Sequence, residues 1–350
     1  MKVTDILRPK TANDSLLIGY YGGGNYGDEL LLEVIQNLCQ KSGVQGLKVA
    51  YQYPENYTTY HHEFDYPRVD MHNKLAVFRA VLSSKRIIIG GGGLWGLDFA
   101  FNVFLLSFML FVSRWLFGKK VYLVGVGYYG STTRFGHVGA WLAAKSARRI
   151  LARDQETFEN FRKLNPRTHL DTDIAWYTER LDLSAYQQDA RELDEQVHIT
   201  DKTLFVALRR FQAKHRNNFT RQVESFIQNN PHKPIVVTLL EPERVDPEQH
   251  ALIKNWTNVY PNVQSLSAPR NPLALLLFFQ QHARQLALIA PQFHAIITAH
   301  LSGVPFMPIV YDNKVAELLG VIGQTKTIPI RELDETHLQT FANNFYGEPA

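Results

Sequence analysis

The chain has 350 residues, 45% of them hydrophobic, which supplies two ordinary cores of roughly 150 residues each and excludes a disordered polymer. Its 37 basic and 33 acidic residues leave a formal charge of only +4, with no long Lys/Arg block and no aromatic-basic ladder. Nucleic acid is therefore excluded as the expected partner, while anionic small molecules fit. The single cysteine, Cys39, rules out an intramolecular disulfide and reads as a core or helix-surface thiol; residues 1–10 lack the apolar core of a signal peptide. A cytoplasmic location is the expectation.

In chain order, the first signal is Leu16-Leu-Ile-Gly-Tyr-Tyr-Gly-Gly-Gly-Asn-Tyr-Gly-Asp-Glu29, an apolar run feeding a glycine-rich turn that restarts as a helix at Leu30-Leu-Leu-Glu-Val-Ile35. A loop of this kind brings backbone close to a ligand, and the unpaired N–H groups of a helix start favour an anionic or hydrogen-bonding group. Gly23, Gly24, Asn25, Gly27 and Glu29 are thus candidates for phosphate or acceptor contact. The competing reading is a tight turn capped by Asp28, with Leu31, Leu32, Ile35 and Leu38 as the buried helix face. Gly22-x-Gly24-x-x-Gly27 also fits a dinucleotide loop, but the next predicted strand, 47–53, ends on Tyr53 and Pro54 where an acid would be needed to hold a ribose.

Further strand-like runs at 86–89, 121–126 and 150–153 each precede a turn and a helical pattern, the signature of a parallel α/β sheet. Gly90-Gly-Gly-Gly93 follows the first of them, making Gly91, Gly92 and Gly93 candidates for close ligand approach, and Gly125-Val-Gly127-Tyr-Tyr-Gly130 gives a third loop on the same rim. Between these lies 99–117, rich in Phe, Leu, Val and Met but interrupted by Asn102 and Arg114. It reads as a buried or domain-covering helix, with peripheral contact to lipid or a lipid-linked substrate as the functional alternative. Arg153 and Asp154 follow a strand and precede a helix, placing Arg153 to meet substrate and Asp154 either there or as an N-cap. Asp171 and Asp173 pair two carboxylates without a metal-like ligand set, so no metal is expected.

Residues 179–202 are polar and charged without sustained apolar period and read as a linker region between an N-terminal domain, 1–178, and a C-terminal domain, 203–350. A second set of strand-like runs follows, at 203–208, 234–240, 286–289 and 305–310. The expected fold is α/β: two Rossmann-like domains whose parallel sheets face a cleft, where donor and acceptor meet outside the carboxyl ends of the strands. Arg209 and Arg210 end the first of these strands, positioned for bidentate contact with phosphate or carboxylate, against the plainer reading of a surface arginine and an ion pair. His294 falls near a helix start after a strand.

Together these segments resemble the polysaccharide pyruvyl transferase family over nearly the whole chain: Gly19 to Glu29, Gly90-Gly-Gly-Gly-Leu94, Gly125-Val-Gly127, Arg153-Asp154, Asp173-Ile-Ala175, Phe293-His294-Ala-Ile, Val304-Pro-Phe and Tyr311-Asp-Asn-Lys314. The resemblance implies a GT-B-like arrangement, acceptor contacts mainly from the first half, and donor contacts mainly from the second. It implies transfer of a pyruvyl group from phosphoenolpyruvate to a sugar hydroxyl of a glycan or glycan precursor, lipid-linked or nucleotide-linked, as a ketal. Phosphoenolpyruvate is then a co-substrate, and no cofactor is expected. The family's Arg-Leu-His near the donor maps onto Gln292-Phe293-His294: His294 is retained for acid–base work, and Gln292 replaces an arginine. Arg209, Arg210 and Lys314 are the residues placed to supply the missing positive charge, and Asp28 is placed to orient or deprotonate the acceptor hydroxyl. Two rivals stay open: a GT-B-type glycosyltransferase taking a sugar nucleotide, prompted by Gln292, and a non-catalytic glycan-binding family member.

Overall fold

The computed structural model describes residues 2–7, 14–53, 60–95, 100–131, 133–209, 213–324 and 327–347. The chain divides into two compact units, Met1–Thr58 with His62–Leu181, and Thr59–His61 with Asp182–Ala350.

The first unit runs α1 (Val3–Leu7), β1 (Ser15–Ile18), α2 (Tyr26–Lys41), β2 (Leu47–Tyr51), β3 (Arg68–Asp70), α3 (Lys74–Ser83), β4 (Arg86–Gly92), α4 (Ala100–Trp115), β5 (Lys120–Val126), α5 (Arg134–Ser146), β6 (Ala147–Ala152), α6 (Gln155–Leu164) and β7 (Thr168–Leu170), then a 3₁₀ segment, Ile174–Arg180. Its strands form one sheet in the order β3-β2-β1-β4-β5-β6-β7, each neighbouring pair parallel. Every residue of β1 and β4 is buried, as expected when helices cover both faces of a parallel sheet. One core layer joins Leu16, Ile18, Ile87, Ile89, Leu123 and Ile150 to Trp95 and Phe161. Each such side chain contributes about 1.5–3 kcal/mol on leaving water.

Two local expectations need correction. The cap of α2 is Asn25, whose side-chain oxygen accepts from the Gly27 N–H at 2.9 Å, while Asp28 lies inside the first turn. Nor is α2 apolar on one stripe only: from Gly27 through Cys39 all but Asp28 are buried, Glu29, Glu33 and Gln36 included. Burial also pushes the Cys39 thiol up to about 12, which makes it an inert core group.

The second unit carries a short 3₁₀ turn (Ser184–Tyr186), α7 (Gln187–Asp194), β8 (Thr203–Leu208), α8 (Ala213–Asn229), β9 (Ile235–Leu239), α9 (Pro247–Val259), β10 (Val263–Leu266), α10 (Pro272–Gln281), β11 (Leu286–Ala290), α11 (Phe293–Ser302), β12 (Phe306–Val310), α12 (Asn313–Val321), β13 (Ile328–Pro329) and α13 (Glu335–Tyr346). Its sheet is ordered β10-β9-β8-β11-β12-β13, again with parallel neighbours. The polar stretch before β8 contains α7, which buries Ala190 and Leu193.

In both sheets the strand order reverses beside the first strand, between β1 and β4 and between β8 and β11. Loops leaving the carboxyl ends of those strands diverge there and open the position at which such sheets hold ligands.

Candidate functional site

At the first switch point the loop after β1 and the end of β4 carry the glycine clusters. A Cβ on Gly91 would lie 2.7 Å from the Leu31 side chain, so this glycine serves the packing of α2 on the sheet. Gly92, at φ +82°, faces a polar neighbour instead: a Cβ there would sit 3.2 Å from Asp28 Oδ1. Gly93 is exposed, and its missing Cβ would be 3.7 Å from Arg153 Nη2. Asp28, Gly92, Gly93 and Arg153 are thereby gathered on one sheet edge, with Asp28 half-buried.

The glycine-rich loop is braced from below. Gly24 donates its N–H to Glu29 Oε1 at 3.0 Å, and Glu29 Oε2 meets His62 Nε2 at 3.1 Å. His62 Nδ1 meets Glu33 Oε2 at 2.7 Å. Burial pulls the imidazole pKa down, but the hydrogen bonds and charges of the two carboxylates outweigh it and raise the pKa from 6.5 to about 9. Glu29, expected at the acceptor, is thus fully buried with both carboxylate oxygens engaged by the protein, and Asn25 uses its side chain as a cap. Neither Glu33 nor His62 was legible as part of this brace, because the histidine comes from a distant loop with no motif around it.

Arg153 follows β6 and is buried within a second network. Its Nη1 donates to Asp173 Oδ2 at 3.2 Å, Nε and Nη2 donate to the Tyr129 hydroxyl at 3.1 and 2.8 Å, and that hydroxyl donates to Asp154 Oδ2 at 2.7 Å. Burial opposes the guanidinium charge, but Tyr129, Asp173 and Asp154 more than offset it, and the net shift is upward. Asp154 also caps α6 through the Thr157 N–H. Asp171 and Asp173 diverge: Asp171 accepts from the Tyr177 hydroxyl, while Asp173 binds Arg153 and caps the 3₁₀ segment.

In the second unit, Arg209 follows β8 and stacks over the Tyr311 ring at 4.5 Å, while Lys314 Nζ stands 5.6 Å from the same ring and 3.4 Å from Asp312. Gln249 fixes the backbone here: its Nε2 donates to the Arg209 carbonyl at 2.8 Å and to Asp246 at 2.9 Å. Gln292 is the N-cap residue of α11 but makes no side-chain cap bond, and its Oε1 is buried without a hydrogen-bond partner among the described residues. His294, the second residue of α11, is half-buried, ring to ring with Phe293 at 5.0 Å. Arg209, Gln292, His294 and Lys314 are therefore brought to the carboxyl edge of β8, β11 and β12; Arg210 lies outside the described residues. Tyr311, the ring shared by the two cations, stands in the sequence only as the first residue of Tyr311-Asp-Asn-Lys314, which does not announce that role.

Similar folds include UDP-GlcNAc 2-epimerase of Methanocaldococcus jannaschii, with a TM-score of 0.61 and 11% identity over 94% of this chain and 92% of that one. The UDP-GlcNAc 2-epimerase of Neisseria meningitidis bound to UDP-GlcNAc gives 0.59 and 10%, over 95% and 92%. Anabaena HepE in complex with UDP-glucose gives 0.57 and 14%, over 94% and 89%. At these identities the likeness is one of fold, two parallel-sheet α/β domains of GT-B type. No curated protein matches the sequence. The profile of the family described as Polysaccharide pyruvyl transferase matches residues 25–313, from the cap of α2 to the start of α12, and the chain belongs to that family.

Proposed function

We propose that the protein transfers a pyruvyl group from phosphoenolpyruvate to a glycan or glycan precursor as a ketal. The observation that carries this reading is the pair of cations, Arg209 and Lys314, set about one aromatic ring at a sheet edge that also holds His294. A dianionic or trianionic donor suits such an edge, where a guanidinium gives a charge-assisted contact. His294 protonates the donor's methylene carbon, making the adjacent carbon oxocarbenium-like. One sugar hydroxyl adds to that carbon, the carbon–oxygen bond to phosphate breaks, and a second hydroxyl closes the ketal. The two hydroxyl protons end on the new methyl group and on inorganic phosphate, so the step needs no oxidant. Arg209 and Lys314 stabilise the departing phosphate. Asp28, at the edge of the first sheet, orients the acceptor.

Gln292 favours a second reading. A neutral amide in place of the family's arginine suits a donor less anionic at that point, and the fold neighbours named above include proteins bound to UDP-sugars. A glycosyltransferase taking a sugar nucleotide is the result. Thermal unfolding with each donor class separates the two, since a ligand held by the folded state raises the midpoint by mass action. Stabilisation by phosphoenolpyruvate and not by UDP-sugars supports pyruvyl transfer; the reverse pattern replaces it. Gln292→Arg adds a discriminating arm: with phosphoenolpyruvate as donor the variant binds it as tightly or more tightly, whereas a sugar-nucleotide enzyme loses turnover to the added charge and volume.

A further inference from the structure

We propose that the face built by α3, α4 and α5 docks on an anionic lipid bilayer. The helix α4 buries one side, including Val103, Ser107 and Leu110, and turns a second apolar stripe outward: Phe101, Leu105, Phe108 and Trp115, the last of these 64% exposed. A helix apolar on both sides belongs in a core, yet this one is open on one of them. The stripe is continuous with its neighbours. Phe101 packs edge-on to the exposed Phe135 of α5 at 5.8 Å, Phe111 stacks on the exposed Trp141 at 6.5 Å, and Phe117 meets the exposed Phe78 of α3 at 6.3 Å. Contiguous exposed aromatic surface across three elements marks an interaction face.

Charge selects the partner. The helices α3, α4 and α5 carry Lys74, Arg79, Arg114, Arg134 and Lys145 and no Asp or Glu, although the whole chain is nearly balanced at 37 basic against 33 acidic residues. Exposed Arg134 and Lys145 share the α5 face with Phe135, Val138 and Trp141, and Arg114 lies over the Trp115 ring at 5.9 Å. Aromatic residues at headgroup depth with basic side chains around them is the chemistry of an interfacial helix on anionic lipid. A symmetric contact with a second copy would set this basic rim against itself. Among the described residues no helix is long and apolar enough to cross a membrane, and α4 has 16 residues where about 20 are needed, so the face lies on the bilayer.

The proposal stands apart from the choice of donor. Its test is flotation of the full-length protein with vesicles of phosphatidylcholine alone and of phosphatidylcholine with phosphatidylglycerol. The expected result is binding to the anionic vesicles that weakens as salt is raised. Arg134→Glu/Lys145→Glu, which alters exposed side chains only, should weaken that binding about tenfold or more, and Phe108→Ser/Trp115→Ser should lower it at every salt concentration. No binding to anionic vesicles, equal binding to both compositions, or binding that neither variant changes overturns the proposal. So does a dimer in solution that Phe108→Ser/Trp115→Ser dissociates while no vesicles are bound, which assigns the face to a second copy.

Discussion

Arg153 and Arg209 each follow a strand of a parallel sheet, yet their guanidinium groups are committed differently. Arg153 is enclosed by Tyr129, Asp154 and Asp173, whereas Arg209 has an aromatic face beneath it and a backbone anchored by Gln249. Removing the first leaves Asp173 buried without its cation, so Arg153→Ala should cost about 3–5 kcal/mol of folding stability, read by chemical denaturation. Removing the second should cost donor binding instead, about 1.5–3 kcal/mol, and leave the unfolding midpoint of the free protein near that of the wild type. Exchanged phenotypes would exchange the roles. His62 gives a pH dependence with a definite sign. Its folded-state pKa, about 9, exceeds the unfolded value of 6.5, so its stabilisation is complete below pH 6.5 and is lost as pH rises through 9. The contribution is on the order of 3 kcal/mol. Melting curves across that window should show a decline in wild type that His62→Gln, which is less stable at neutral pH, lacks; parallel curves would remove the imidazole as the loop's brace.

Elements differ in how plainly the sequence announces them. The central strands β1, β4, β5, β8, β9, β11 and β12 stand out as apolar runs because both of their faces are buried. The four strands absent from the sequence reading, β3, β7, β10 and β13, are the edges of the two sheets. They have two to four residues, and three of them contain polar or charged side chains, such as Arg68 and Asp70 in β3, because an edge lies half in water. The same logic explains the helix starts. Asn25 and Asp28 both suit an N-cap by residue type, and only the backbone, extended at Asn25, decides between them. Asn25→Ala should accordingly cost about 1 kcal/mol in stability and more than Asp28→Asn does, measured as urea midpoints. The strand-end residues of the candidate site were legible because position after a strand is a local property. The networks of His62 and Tyr129 were not, since each joins residues whose proximity the sheet order creates.

At the scale of the whole molecule, family membership spans both sheets, because the matched segment begins at Asn25 and ends at Asn313. The two units repeat one design: a sheet that reverses its strand order beside its first strand, with chemistry-bearing loops leaving the carboxyl edge on either side of the reversal. Glycines and Asp28 occupy the first such edge; Arg209, Gln292, His294 and Lys314 occupy the second. Fold likeness to UDP-sugar enzymes and membership of a pyruvyl transferase family leave the donor as the question that matters most, and it is answered by following the group transferred. Purified protein is incubated with phosphoenolpyruvate labelled in its pyruvyl carbons and with a panel of lipid-linked and nucleotide-linked glycans, and label in the glycan and free phosphate are measured together. One acceptor class should take up label in step with phosphate release, and His294→Ala should abolish both. Phosphate release that no acceptor supports, or turnover that proceeds only with a sugar nucleotide, would contradict pyruvyl transfer.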